Sequence, residues 1–285
     1  MNRPASQSQQ ECSNLLKQGE FDQALRSAME WTRQHPADAD LRIGLFQLLA
    51  ASGQWGRARE QLKLSATLDA ERRELVAAYS RVLDAELERE QVMSGQMMPL
   101  MLGKVGQWQH DLLLALRQDR DGLAVEAAQR RGVAFAQAEA AGGSIDGVRF
   151  EWLCDADPRF GPCLEVVLET GYAWVAFSQL RELILEAPVS LRDLLWQPAT
   201  LVWRNGDAVA GMVPCRYPGS EHSDQAALRL GRRTDWSGTD IAARGIGQRM
   251  LITDHGDHPL LDIRHIEFDA SEFDAPPGEA PVWPS

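Results

Sequence analysis

Cysteine is scarce in this chain. Its 285 residues hold four, Cys12, Cys154, Cys163 and Cys215, and none is spaced C-x-x-C. That scatter argues against a disulfide framework or a structural zinc, and it fits a reducing compartment. Positive charge is in deficit too, with 29 Lys and Arg against 41 Asp and Glu, a formal charge of −12. Nucleic acid and anionic membrane faces both demand a basic surface, so neither is expected as a partner. No apolar run approaches the roughly 20 residues that span a bilayer. The opening MNRPASQSQQECS lacks the apolar stretch of a secretory signal, and a cytoplasmic location is expected.

Catalytic motifs are missing as well. There is no G-x-x-x-x-G-K-S/T loop, which excludes P-loop nucleotide hydrolysis. No G-x-G-x-x-G stands between a strand and a helix, and GIGQRM at 245–250 runs into a strand pattern. Ser220 follows Gly219 without the second glycine of a nucleophile elbow.

What is present divides by period. From about residue 9 to 140 the pattern is helical. Leu41, Leu45, Leu48 and Leu49 fall on one helix face, and RELVAAYSRVLDAELEREQV (73–92) is rich in helix formers. The break MSGQMMPLMLGKVG (93–106) predicts an irregular connection. Within this half Gly19, Phe21 and Ala24 recur as Gly53, Trp55 and Ala58, an offset of 34 residues. That is the period of a tetratricopeptide helix pair, in which glycine ends one helix and the small alanine admits the next. Pro36 stands where the pattern ends its second helix; no third copy is clean.

After AGGS (141–144) the period becomes two, and the chain is expected to divide there. LEVVLE-TG-YAWVAF (164–177) and ATLVWR-NG-DAVAGMVP (199–214) predict hairpins, the second around a type I′ Asn-Gly turn. IGQRMLIT (246–253) and PLLDIRHIEF (259–268) predict a third, around residues 254–257, and SLRDLLW a short helix. The expected class is α+β. It has a disordered N-terminus (1–10), a TPR-like helical stack (11–142), a compact, mostly antiparallel β domain (145–269) and an acidic disordered tail (270–285). Most of the nine tryptophans read as core; Trp283, in the tail, has no element to pack in. Arg232 and Arg233 near Trp236 read as a solvated face.

Two clusters could carry chemistry. FEWLCDADPRFGP (150–162) crowds Glu151, Asp155, Asp157 and Arg159. Asp254, His255, Asp257 and His258, with His265 beyond, are the best metal-like set. Together, Asp155/Asp157 and His255/His258 would make a metal-dependent hydrolase. Against it, the first cluster carries turn chemistry and the second sits in one hairpin turn, so no catalytic residue, metal or cofactor is assigned.

Several separated blocks resemble one family in its own order. They are HPADADLRIGLFQLLAASGQWGRAREQL (35–62), IDGVRFEWLCDADPRFGPCLEVVLETGYAWVAF (145–177), DLLWQPATLVWRNG (193–206), VPCRYPGSE (213–221) and GIGQRMLITDHGDHPLLDIR (245–264). On these the chain resembles the ImpE/TagJ family of accessory proteins of bacterial type VI secretion systems. The resemblance implies a non-enzymatic adaptor. Its partner would be a short helical segment near the N-terminus of the small contractile-sheath subunit, with a link to the sheath-disassembling AAA+ ATPase. A general TPR scaffold is the third alternative. If the helix pairs are regular, Asp40, Ile43 and Gln47 face the groove; a second candidate surface is Trp152, Asp155 and Arg159.

Overall fold

The computed structural model describes residues 4–270, so Trp283 and the tail from 271 lie outside the described residues. Two helix pairs come first. They are α1 (Pro4–Lys17) with α2 (Phe21–Gln34), then α3 (Ala39–Ala51) with α4 (Trp55–Leu68). Each pair turns on its glycine in the left-handed region, Gly19 at φ 83° and Gly53 at φ 69°. The amides that follow reach back to helix carbonyls, Glu20 to Leu15 at 2.9 Å and Gln54 to Leu49 at 3.0 Å. This is the Schellman closure, which uses up carbonyls a helix end would otherwise leave unpaired. Ala24 and Ala58 are wholly buried where the paired helices touch.

The N-terminus differs from expectation. Residues 4–10 are not disordered but open α1, with proline in the first turn where its missing N–H costs nothing. Ser8, Cys12 and Leu16 recur every four residues and are buried, which anchors the helix. A third pair also exists. After the long α5 (Arg73–Met93), α6 (Gln107–Arg120) and α7 (Ala124–Gln137) turn on Gly122, with Leu123 N–H to Gln118 at 2.8 Å. Ala127 occupies the place of Ala24 and Ala58, but Ala124 stands where the aromatic would be, which hid the repeat. The break at 93–106 contains β1 (Leu100–Leu102), a strand rather than only an irregular link.

Beyond α7 the chain forms strands. They are β2 (Gly143–Ile145), β3 (Val148–Phe150), β4 (Leu153–Asp155), β5 (Cys163–Leu168), β6 (Gly171–Ala176) and β7 (Leu180–Leu185). Next come β8 (Trp196–Trp203), β9 (Ala208–Pro214) and the single-turn α8 (Ala226–Arg229). The last are β10 (Thr234–Ser237), β11 (Arg244–Gly247), β12 (Met250–Thr253), β13 (Gly256–Pro259) and β14 (His265–Phe268). Nine strands make one sheet in the order β1-β6-β5-β9-β8-β7-β14-β2-β3; β13-β12-β4 and β10-β11 are separate. Every pairing is antiparallel except β1 on β6.

The hairpins sit near their predicted places with altered turns. Leu168 pairs with Gly171, so the first turn is Glu169-Thr170 and not Thr170-Gly171. In the second, Trp203 N–H bonds Asp207 at 2.8 Å and Gly206 N–H bonds Trp203 at 2.9 Å. Only Gly206 takes positive φ, so this is a three-residue loop with a glycine bulge, not type I′. Asn205 instead accepts the Asp207 amide at 3.0 Å. The third predicted pair splits: β12 pairs with β13 across Asp254-His255, while β14 leaves to join β7 and β2.

The halves share a core. Every residue of β5 is buried. Leu164, Val166 and Leu168 enter a cluster made by the sheet itself. Cys163 and Val167, with Tyr172 and Trp174 of β6, enter one that runs through α1–α6 to Trp196 and Tyr217. The helices thus cover one face of the sheet's centre, with α5 lying on β5 and β6.

Candidate functional site

A groove of about 690 Å³ is walled by α1, α3 and the segment 188–194. Asp40, Ile43 and Gln47 all line it, because positions three and four apart share a helix face. Their exposure differs. Asp40 stands at the mouth, 54% exposed, paired with Arg72. Ile43 is only 6% exposed and lines the groove from within the core, where little of its side chain is free. The reason is that α3 is buried on nearly every side, between the other helices and residues 191–194. Gln47 Oε1 accepts the Arg192 amide at 3.1 Å, tying the β half to the groove wall.

That wall escaped the sequence reading. Asp193 Oδ2 accepts the amides of Val189 at 3.0 Å and Ser190 at 2.8 Å, holding the segment in a fixed loop. Val189 is thereby presented to solvent at 89% exposure, the most exposed of the large apolar side chains described. The only signal for it was the Ser190-x-x-Asp193 spacing, which marks a capped turn and not a surface.

The second candidate surface does not assemble. Trp152 is partly exposed, at 37%. Asp155 is buried, 2% exposed, which removes it as a surface contact. Arg159 is clamped on Asp157, with Nη2 at 2.6 Å from Oδ2. Asp155 belongs instead to a buried charge network between helices and sheet. Arg249, wholly buried, binds both Asp155 and Glu165. Glu165 also receives Arg89 of α5 in a two-pronged contact at 2.7 and 2.8 Å, and the Tyr172 hydroxyl. Arg89 reaches Glu86 at 3.4 Å, and Glu86 accepts Trp196 Nε1–H at 2.6 Å. Tyr217 donates to Asp155 at 2.9 Å.

Burial pushes the Asp155 carboxyl up to about 6, with Arg249 pulling the other way. Burial likewise brings Arg249 down to about 10. At Asp157 burial also acts upward, but Arg159 and the amides of Arg159 and Gly245 outweigh it and hold the carboxyl low. Such acids are bound as structural partners of arginine, and the polar residues of FEWLCDADPRFGP hold the loop after β4 against Tyr217, Gly245 and Arg249 of the β half.

The histidine cluster disperses. Asp254 Oδ1 accepts the Glu151 amide at 2.8 Å, and His258 Nε2 lies 3.0 Å from Thr253 Oγ1. Among the described residues no three His, Cys, Asp or Glu side chains converge on a position fit for a metal ion. None of their helices is long and apolar enough to cross a membrane.

With this geometry in place, comparison with known proteins is informative. The family model for ImpE protein matches residues 147–267, and the tetratricopeptide repeat model matches residues 15–82. A relative from Pseudomonas aeruginosa, the type VI secretion system accessory component TagJ, is 44% identical over 259 residues, covering 90% of this chain and 91% of its own. Among solved structures, protein VPA1032 of Vibrio parahaemolyticus superposes with a TM-score of 0.82 at 22% identity, covering 92% of this chain and 98% of that one. The last likeness bears on fold alone.

Proposed function

This chain belongs to the ImpE/TagJ family, and from that premise we propose that it is a non-enzymatic accessory adaptor of a type VI secretion system, acting in the cytoplasm. Its partner in this reading is the helical segment near the N-terminus of the small contractile-sheath subunit, held in the groove between α1, α3 and residues 188–194. The sheath-disassembling AAA+ ATPase would then be brought to the same place. The observation that carries the reading is the groove itself. It has an apolar floor of Cys12, Leu16 and Leu48, a polar rim including Gln9 and Asp40, and one rigidly presented valine. An amphipathic helix places apolar anchors at i, i+3, i+4 and i+7 on one side, which matches an apolar floor between polar rims.

The test is calorimetry with the isolated N-terminal segment of that sheath subunit. Because Ile43 is core, a charge there would unfold the helix pair; the informative changes are at exposed positions. Val189→Asp and Asp40→Lys should each weaken binding, by about 1–3 kcal/mol if either is a hot spot. Val148→Asp, on the exposed edge strand β3, should leave it unchanged. Lost binding in Trp152→Ala, with the groove variants unaffected, moves the site to the β face. No binding by the unaltered protein removes the reading.

A further inference from the structure

Away from the groove, three arginines from distant parts of the chain meet beside a second cavity. Arg131 comes from α7, Arg159 from the loop after β4, and Arg244 opens β11. Two carboxylates serve them. Asp157 is taken by Arg159 and by the Gly245 amide at 2.9 Å. Asp119 offers a single oxygen, Oδ2, to both Arg131 and Arg244, the latter at 2.8 Å. Three positive charges against two negative leave one guanidinium without its own counter-ion.

The shortage shows in hydrogen bonding. Arg131 is wholly buried, yet its Nε and Nη1 have no partner. Buried N–H groups without acceptors cost free energy, and charged ones cost most. The Arg244 guanidinium is correspondingly held below its ordinary range, by burial first and then by the charge of Arg131.

The adjoining cavity is open to solvent and offers about 560 Å³, within the span usual for small-molecule pockets. Arg159 and Arg244 line one side with Ser223 and Gln225; Trp236, Pro218 and Leu228 make the apolar side. The Trp236 indole is 41% exposed and rests against Tyr217, with ring centroids 5.5 Å apart. On the rim Asp235 is engaged by Arg233 at 2.9 Å, while Asp224 adds one negative charge.

We propose that this cavity binds a monoanionic carboxylate carried on a flat apolar body, with Arg244 holding the carboxylate and Trp236 covering the body. The Asp224 carboxylate on the rim opposes a dianionic phosphate more strongly than a monoanionic carboxylate. A planar guanidinium pairs with a carboxylate through two parallel N–H···O bonds. When Arg244 turns to the ligand, Asp119 Oδ2 is left to Arg131 alone, which relieves the shared acceptor. The carboxylate can be that of a free aromatic acid or of a peptide that ends in an aromatic residue. The site does not depend on the sheath-binding reading.

The experiment uses the full chain labelled with ¹⁵N at tryptophan, so that each indole N–H reports separately, with Trp236 assigned through Trp236→Phe. Phenylacetate and the dipeptide Gly-Phe are the probes for the two sources; acetate and inorganic phosphate are the comparisons. A saturable shift of the Trp236 signal with phenylacetate, Gly-Phe or both is expected. Acetate should act more weakly because it lacks the ring. Arg244→Gln keeps a donor for Asp119 and should weaken phenylacetate by about tenfold or more. Arg233→Gln should not change it. Should Arg244→Gln not fold, the concentration-dependent rise in melting temperature of the unaltered protein with phenylacetate serves in its place. No saturable shift and no stabilisation at tens of millimolar phenylacetate or Gly-Phe overturns the proposal. Phosphate binding as tightly as phenylacetate, with the same Arg244 dependence, overturns the carboxylate assignment.

Discussion

Replacing Glu165 by glutamine tests what joins the helical stack to the sheet. Glu165 is fully buried and is the shared counter-ion of Arg89 and Arg249, themselves 4% and 0% exposed. The substitution keeps the shape and removes the charge. Two guanidiniums then remain in the interior with Glu86 and Asp155 as their only acidic partners. Breaking a buried pair from one side typically costs 3–5 kcal/mol, because the stranded charge has lost both water and partner. We expect a loss on the order of 4 kcal/mol in urea unfolding and a fall in melting temperature of roughly 10 °C for a chain of this size. The comparison is Arg149→Ala, which breaks the exposed pair with Asp269, 67% and 48% exposed. That change should leave the urea midpoint nearly unmoved, since solvent screens the exposed pair. Circular dichroism follows the helices, and indole fluorescence follows the nine tryptophans together, Trp174 and Trp196 at the join among them. Since one core cluster runs through both halves, the two signals should move together in the unaltered protein. A Glu165→Gln variant within about 0.5 kcal/mol of the unaltered protein would falsify the claim that this network holds the halves together.

Gly53→Ala should destabilise more than Gly19→Ala: both need positive φ, but a Cβ at Gly53 would lie 2.7 Å from Glu221 Cγ, while nothing lies within 4 Å at Gly19. Urea unfolding should show about 1 kcal/mol for Gly19→Ala and clearly more for Gly53→Ala; equal losses would contradict the contact. Asp155, raised to about 6, keeps its proton in the folded state when the unfolded chain has released it near the ordinary 3.8. Its contribution is therefore full below about pH 3.8 and fades as pH rises through 6, on the order of 3 kcal/mol in all. A carboxyl ¹³C titration of Asp155 with its midpoint at or below 4 would refute this. Asp157 has the opposite sign, its share being present above the usual aspartate range and lost on acidification. Lastly, burial raises the thiols of Cys163 and Cys215, so iodoacetamide should label neither in the folded protein at pH 8. Rapid labelling of either, followed by mass spectrometry, would contradict their burial.

By itself the sequence determined whatever depends on neighbours along the chain. The helix pairs were legible because glycine, aromatic and alanine recur at a fixed offset, and each does a local job: ending a helix, filling a gap, admitting a close approach. The hairpins were legible from alternation, and Asp40, Ile43 and Gln47 were placed on one face by helical spacing alone. Turn type was less legible. At Asn205-Gly206 the two-residue and three-residue loops differ by one residue of cross-strand register, and the pairing of Val202 with Ala208 decided it. The third helix pair stayed hidden because Ala124 replaces the aromatic that marks the others.

Tertiary structure decided everything that required distant residues to meet. Glu165 lies in β5, both faces of which are covered, and Arg89 and Arg249 arrive there from 76 and 84 residues away. Asp155 looked like a surface acid because its charge is matched by an arginine 94 residues on. The groove wall at 188–194 belongs to the β half by sequence and to the helical stack by contact, through Gln47. Coulomb attraction and burial act through space, so the charges that neutralise one another in this fold leave no spacing in the chain from which their meeting could be read.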